Sequence, residues 1–80
     1  MTKNDFASLI ENGSDIMFSI MGRNYTILTW PKEGIAISEQ HPNDNELEYY
    51  NSPIELLEGF KVDDTPLAKL THLVVITDYA

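Results

Sequence analysis

The residues of this chain best suited to chemistry crowd into EQHPNDNELEYYNSPIELLEG, residues 39–59. The stretch holds six acids, Glu39, Asp44, Glu46, Glu48, Glu55 and Glu58, and no Lys or Arg. Three roles suit such a run. In an extended segment, alternate residues project to one side about 6.7 Å apart, so Asp44, Glu46 and Glu48 would form a row of carboxylates. Successive phosphates along a nucleic-acid strand have a similar separation, and the row would attract a basic cleft that binds such a strand. Asp44, Asn45, Glu46 and Glu48 also offer oxygen ligands of the kind calcium takes, but the EF-hand spacing and its turn glycine are missing. The third role is a solvated acidic surface that keeps a small domain soluble, and it is the commonest fate of a charge run.

The other candidates are sparse. His41 and His72 lie far apart in sequence. Two histidines and a carboxylate can hold zinc, but no spacing brings these two together, and a loop or surface histidine is the simpler reading. Ser8, Ser14, Ser19, Ser38 and Ser52 sit in no nucleophile motif. There is no cysteine, which removes thiolate chemistry, thiolate metal sites and disulfides. No catalytic constellation emerges, so the sequence predicts a protein that is not an enzyme and needs no cofactor or metal.

Charge narrows the partners. The net charge of −8 is confined to residues 33–64, where nine acids face Lys61 alone. Residues 1–32 and 65–80 each sum to zero. Such a chain repels nucleic acid and anionic membranes and suits a basic protein surface or a cation. A secreted domain this small would usually carry disulfide staples, so a reducing cytoplasm is expected. The N-terminal MTKNDFASLIENG has one Lys and no long apolar run, unlike a signal peptide. No stretch approaches the roughly 18 apolar residues that span a bilayer.

Eighty residues predict one domain, residues 1–80. Leu, Ile, Val and Phe make up 22 of the 80, above the level of about 20% below which charged chains tend to stay disordered. Thr2 and Asp5 form a capping-box pattern ahead of the helical stripe Phe6, Leu9 and Ile10, and Gly13 suits a left-handed helix stop. In DIMFSIMGRNYTILTW, residues 15–30, apolar alternation predicts a hairpin. A type II′ turn at Gly22-Arg23 would pair Ile20 with Tyr25, Phe18 with Ile27 and Ile16 with Thr29. Pro31 to Gly34 reads as a second turn before the strand Ile35 to Ser38. A four-residue loop there pairs Trp30 with Ile35, and a loop one residue different moves Ile35 and Ile37 to the other face. Leu47 to Tyr50 is a short extended piece. Ser52, Pro53 and Glu55 open a helix that stops near Gly59. Pro66 to Leu70 reads as a turn or short helix with Leu67 and Leu70 inward. The run LVVIT, residues 73–77, reads as a strand buried on both faces and away from an exposed edge. The order α-β-β-β-α-(α)-β predicts an α+β fold: a three-strand meander plus a C-terminal strand, mostly antiparallel, with two to three short helices.

With helices on the Phe18 and Ile27 face, Met17, Met21, Leu28 and Trp30 would line the second face of the hairpin. Either the C-terminal elements cover them or a partner protein does. Tyr49 and Tyr50 divide between core and partner in an order that the sequence leaves open.

DFASLIENGSDIMFSIMGRNYTILTW, the acidic loop, EYYNSPIELLEGFKVDD and the closing apolar strand together resemble small acidic proteins of Gram-positive bacteria and their phages. The resemblance covers most of the chain and rests on layout. It implies a prokaryotic or phage cytoplasm and carries over no functional residue. The resulting expectation is a non-enzymatic cytoplasmic binding or accessory protein that acts through protein contacts, with a homodimer as one form. The alternative is an inhibitor that mimics nucleic acid and occupies a basic nucleic-acid-binding protein. The expected partner residues are Met17, Met21, Leu28, Trp30, Asp44, Glu46, Glu48 and Tyr49.

Overall fold

The structure, a computed structural model, describes residues 1–13, 15–30, 32, 34–40 and 47–79. Helix α1 spans Lys3–Asn12 and α2 spans Pro53–Gly59. The strands are β1 Asp15–Ile20, β2 Arg23–Trp30, β3 Gly34–Glu39, β4 Glu48–Tyr50, β5 Lys61–Val62, β6 Thr65–Pro66 and β7 Val75–Tyr79. Two single 3-10 turns, Leu67–Lys69 and Thr71–Leu73, lie between β6 and β7. An antiparallel sheet takes the order β4-β3-β2-β1-β7, and β5 pairs with β6 in a separate small hairpin. This is the α+β domain the sequence predicts.

The helix starts follow from their capping residues. Thr2 accepts from the Asp5 N–H, and the Asp5 carboxylate accepts from the Thr2 N–H, so both arms of the capping box form. Ser52 accepts from the Glu55 N–H, Pro53 occupies the first turn, and the Glu55 carboxylate accepts from the Asn51 N–H. Gly13 does not take the predicted left-handed conformation. Its backbone is extended, and its lack of a side chain serves close packing instead: a Cβ there would stand 2.8 Å from the Tyr79 ring.

The core lies on one face of the sheet. Ile16, Phe18 and Ile20 of β1, Tyr25 and Ile27 of β2, and Ile35 and Ile37 of β3 pack against Phe6, Ile10, Leu56, Leu57 and Leu67. Phe18 stacks on Tyr25, and Phe6 and Phe60 each meet that pair edge-on. The two T-shaped contacts, Phe6 with Phe18 and Phe60 with Tyr25, bring the positive edge of one ring to the negative face of the other.

Two predicted details change, and one left open is decided. The first hairpin turns at Met21-Gly22, where both residues have positive φ, 49° and 81°, as a type I′ turn requires. The register is therefore Ile20 with Arg23, Phe18 with Tyr25 and Ile16 with Ile27. This is a two-residue shift from the expected pairing. It leaves every side chain on its expected face, so apolar patterning cannot detect it. In the second hairpin Trp30 pairs with Gly34 and Ile27 with Ile37. Of the two loop lengths left open, the shorter one forms and brings Ile35 and Ile37 onto the core face. The second change is at β7, which is an edge strand paired only with β1 and largely exposed. Val74 and Ile76 pack on the core while Val75 is 59% exposed, so the apolar run reflects β-propensity as much as burial.

Pro66 belongs to β6, and the 3-10 turn starts at Leu67, which is buried while Leu70 is half-buried. The β5–β6 hairpin, absent from the expected elements, turns at Asp63-Asp64 with φ 52° and 66°. Asp tolerates that left-handed region better than most residues, and this was its available sequence signal.

Candidate functional site

All helical structure among the described residues contributes to the core face. The opposite face is laid out by strand alternation. Cross-strand pairing places Leu28 beside Ala36 and Ala36 beside Tyr49, with Met17 beside Thr26 and Trp30 opposite Gly34. The Trp30 and Tyr49 rings meet at 5.9 Å and 43°, bridging β2 and β4 across Ala36, which is fully buried.

Met17, Leu28, Trp30 and Tyr49, drawn from three strands, therefore share one surface. Met17 is 41% and Tyr49 50% exposed, while Leu28 and Trp30 are half-buried. Val75 extends the surface at the β7 edge. Met21 does not join it. It sits in the first hairpin turn, 65% exposed, because the turn falls one residue earlier than expected. The far end of the face is polar, with Asn24, Thr26 and Ser38, and the Gln40 side-chain amide donates to the Thr26 hydroxyl. Asp15 and Asp78 belong to this face, and Arg23, paired with Ile20, lies on the opposite one.

Both sheet edges are poorly suited to pairing with another chain. β4 has three residues. β7 carries a bulge, since Ile76 pairs with Phe18 and Asp78 with Met17, leaving Thr77 as the extra residue. Short, bulged or charged edges are the usual guards against strand addition, so the flat face is the better contact surface.

The acidic stretch is divided among different duties. Asp44 and Glu46, like His41, lie outside the described residues. Glu48 pairs with Ile37 and so projects to the helix side of β4, opposite to Tyr49. Tyr50 packs against the core and Tyr49 faces outward. Burial and the nearby Glu48 carboxylate raise the Tyr50 pKa. Glu55 caps α2. Glu58 binds Lys3 at 2.8 Å, tying the end of α2 to the start of α1.

Glu39 and Asp63 converge on Arg23. The guanidinium donates to both Glu39 oxygens, at 3.0 and 2.6 Å, and to Asp63 at 3.0 Å. These bonds, Glu39 first, raise its already high pKa. The fork joins β2, β3 and the β5–β6 turn in one contact. Beside it, the buried Tyr25 hydroxyl lies close to the Glu39 carboxylate without a hydrogen bond of good geometry. Burial first, then the Glu39 carboxylate, hold the Tyr25 pKa above its ordinary value. The sequence reading missed this cluster because Arg23 had been assigned to a turn.

His72 is exposed on the second 3-10 turn. Among the described residues no group of three potential metal ligands comes together, and no helix is long and apolar enough to cross a membrane. Compared with known proteins, the chain matches no family model, no curated relative and no solved structure.

Proposed function

We propose that this chain is a small non-catalytic accessory protein that engages another protein through the outer face of its sheet. The observation that carries the reading is the one-sided placement of helices, which leaves Met17, Leu28, Trp30 and Tyr49 together on the other side. The occupant that suits this face is a protein with an apolar patch inside a basic rim. Asp15 and Asp78 lie on the face, and the whole chain carries −8. A second copy would oppose like charges, so it fits less well than a basic partner. A cytoplasmic site of action agrees with the cysteine-free acidic composition. Mimicry of nucleic acid gains less support, because Glu39, Asp63 and Glu58 are engaged in ion pairs that hold the fold.

The test is site-specific photo-crosslinking in host lysate, with the crosslinker at position 17 or 49, and at position 8 on exposed α1 as reference. A basic protein captured from 17 and 49 but not from 8 is expected. Equal capture from all three positions overturns the outer-face reading. Light scattering decides between partners: a chain that stays monomeric agrees with a heterologous partner, and a concentration-dependent dimer replaces it with a second copy.

A further inference from the structure

Of the four glycines, one follows an asparagine: Asn12-Gly13. That pair carries its own chemistry. A backbone amide nitrogen that has lost its proton can attack the side-chain carbonyl carbon of the preceding asparagine, and glycine, with no Cβ, leaves the approach open. The Gly13 nitrogen would bond to Asn12 Cγ and close a five-membered succinimide. The Asn12 side-chain nitrogen would leave as ammonia. Water then opens the ring at either carbonyl, giving aspartate or isoaspartate. One water is taken up and one ammonia released, and no oxidant or cofactor enters.

The fold keeps the two reacting groups occupied. Asn12 is the last residue of α1 and is exposed. Its Nδ2 donates to the Ser8 carbonyl at 2.9 Å, which draws the side chain back toward the preceding turn. The attacking nitrogen is engaged as well, since the Gly13 N–H donates to the Leu9 carbonyl at 2.9 Å. The Tyr79 ring lies over Gly13: its Cε2 and Cζ would stand 2.8 and 3.3 Å from a Cβ at that position. Tyr79 is held there by β7, where it pairs with Ile16. The end of an edge strand thus covers the end of a helix, and chain ends of this kind are where a fold opens first.

We propose that Asn12 is a site of spontaneous deamidation and that Tyr79 sets its rate by holding Gly13 in place. The site goes beyond the outer-face reading and does not rest on it. Reaction requires the last turn of α1 to open, so it proceeds at the open-chain rate multiplied by the open fraction. The product does not close as before. An aspartate adds a second carboxylate beside Glu11, at the helix end that disfavours negative charge. An isoaspartate routes the backbone through an extra methylene and carries the Gly13 N–H away from Leu9. The step is a one-way record of local opening.

The test is ageing of the purified chain in mildly alkaline buffer, folded and in urea, with peptide mapping of aspartate and isoaspartate. In urea, position 12 should react well before any other asparagine. In the folded chain its rate should drop by about the factor by which the Gly13 amide is protected from hydrogen exchange, because both processes need the bond to Leu9 to break. Tyr79→Thr and Tyr79→Val remove the ring and keep a β-branched residue in the strand. Either should raise the folded rate several-fold while the β1 and β2 amides stay protected, and Tyr79→Phe should leave it unchanged. A folded rate equal to that in urea, another asparagine reacting first, or ring-free variants that fold and age like the parent would each overturn the proposal. Should both ring-free variants fail to fold, the unmodified chain decides: deamidation faster than Gly13 opening allows overturns it. No readout involves the outer face, so failure here leaves the photo-crosslinking result intact.

Discussion

Arg23 shows how one side chain can replace packing that a short chain does not have. Its fork reaches Glu39 on β3 and Asp63 on the β5–β6 turn, elements that share little other contact. Arg23→Lys is expected to lower the midpoint of urea unfolding, because a single ammonium cannot donate to both carboxylates in the same plane. The deficit should shrink in 1 M NaCl, where the Debye length is about 3 Å, and an unchanged deficit would mean that the stem matters more than the charge. The neighbouring Tyr25 gives a pH prediction. Its folded pKa is raised by burial and by Glu39. The unfolded chain therefore loses that proton first, and stability present at neutral pH declines as pH rises above about 10. Tyr25→Phe should flatten part of the decline seen in alkaline urea titrations, and Tyr50, raised by burial and Glu48, accounts for a further part. At neutral pH the same variant should fall within about 1 kcal/mol of the parent, since the hydroxyl it removes is buried without a hydrogen bond of good geometry.

At the scale of elements, two backbone positions carry strain that substitution can reveal. Met21 holds φ 49° in the first turn, a conformation costing most L-residues about 1–2 kcal/mol. Asn-Gly is the favoured pair for a type I′ turn, so Met21→Asn should stabilise the chain by about 1 kcal/mol, read from denaturation midpoints at constant slope. Gly34 combines φ 98° with a Cβ position 2.6 Å from the Tyr50 carbonyl oxygen. Because that oxygen is backbone, Gly34→Ala should both destabilise the domain and speed amide exchange in β4. These positions also explain what could be read in advance. The caps at Thr2 and Ser52 were legible because their chemistry is local. The faces of β1 and β2 were legible because alternation fixes them. The first turn was misplaced because a two-residue slip preserves faces, so only the φ values at Met21 and Gly22 distinguish the registers. The position of β7 was illegible because pairing order depends on contacts distant in sequence, and Val74, Val75 and Ile76 look alike whether at an edge or in the centre. The outer-face cluster was half legible: Met17, Leu28 and Trp30 follow from alternation, whereas the addition of Tyr49 needed the β3–β4 register.

The whole molecule sets a different balance, between charge and size. The Cα radius of gyration is 11.4 Å, close to a Debye length of about 10 Å at 0.1 M salt. At low salt the eight excess negative charges therefore feel one another across the entire domain. Among the described residues three ion pairs oppose that repulsion, and each has at least one partner with more than a third of its side chain exposed: Lys3 and Glu58 at 37% and 60%, Arg23 at 39%, and Asp63 at 73%. Exposed pairs contribute about 0–1 kcal/mol each, and net charge far from zero works against the compact state. Repulsion should win. The urea midpoint of the unmodified chain is expected to rise as NaCl increases from 0.02 to 0.3 M, where screening removes long-range repulsion faster than it weakens contacts near 3 Å. A midpoint that falls over that range would show that the ion pairs dominate. It would also remove the ground for reading the uncancelled acids as a surface that a basic partner relieves.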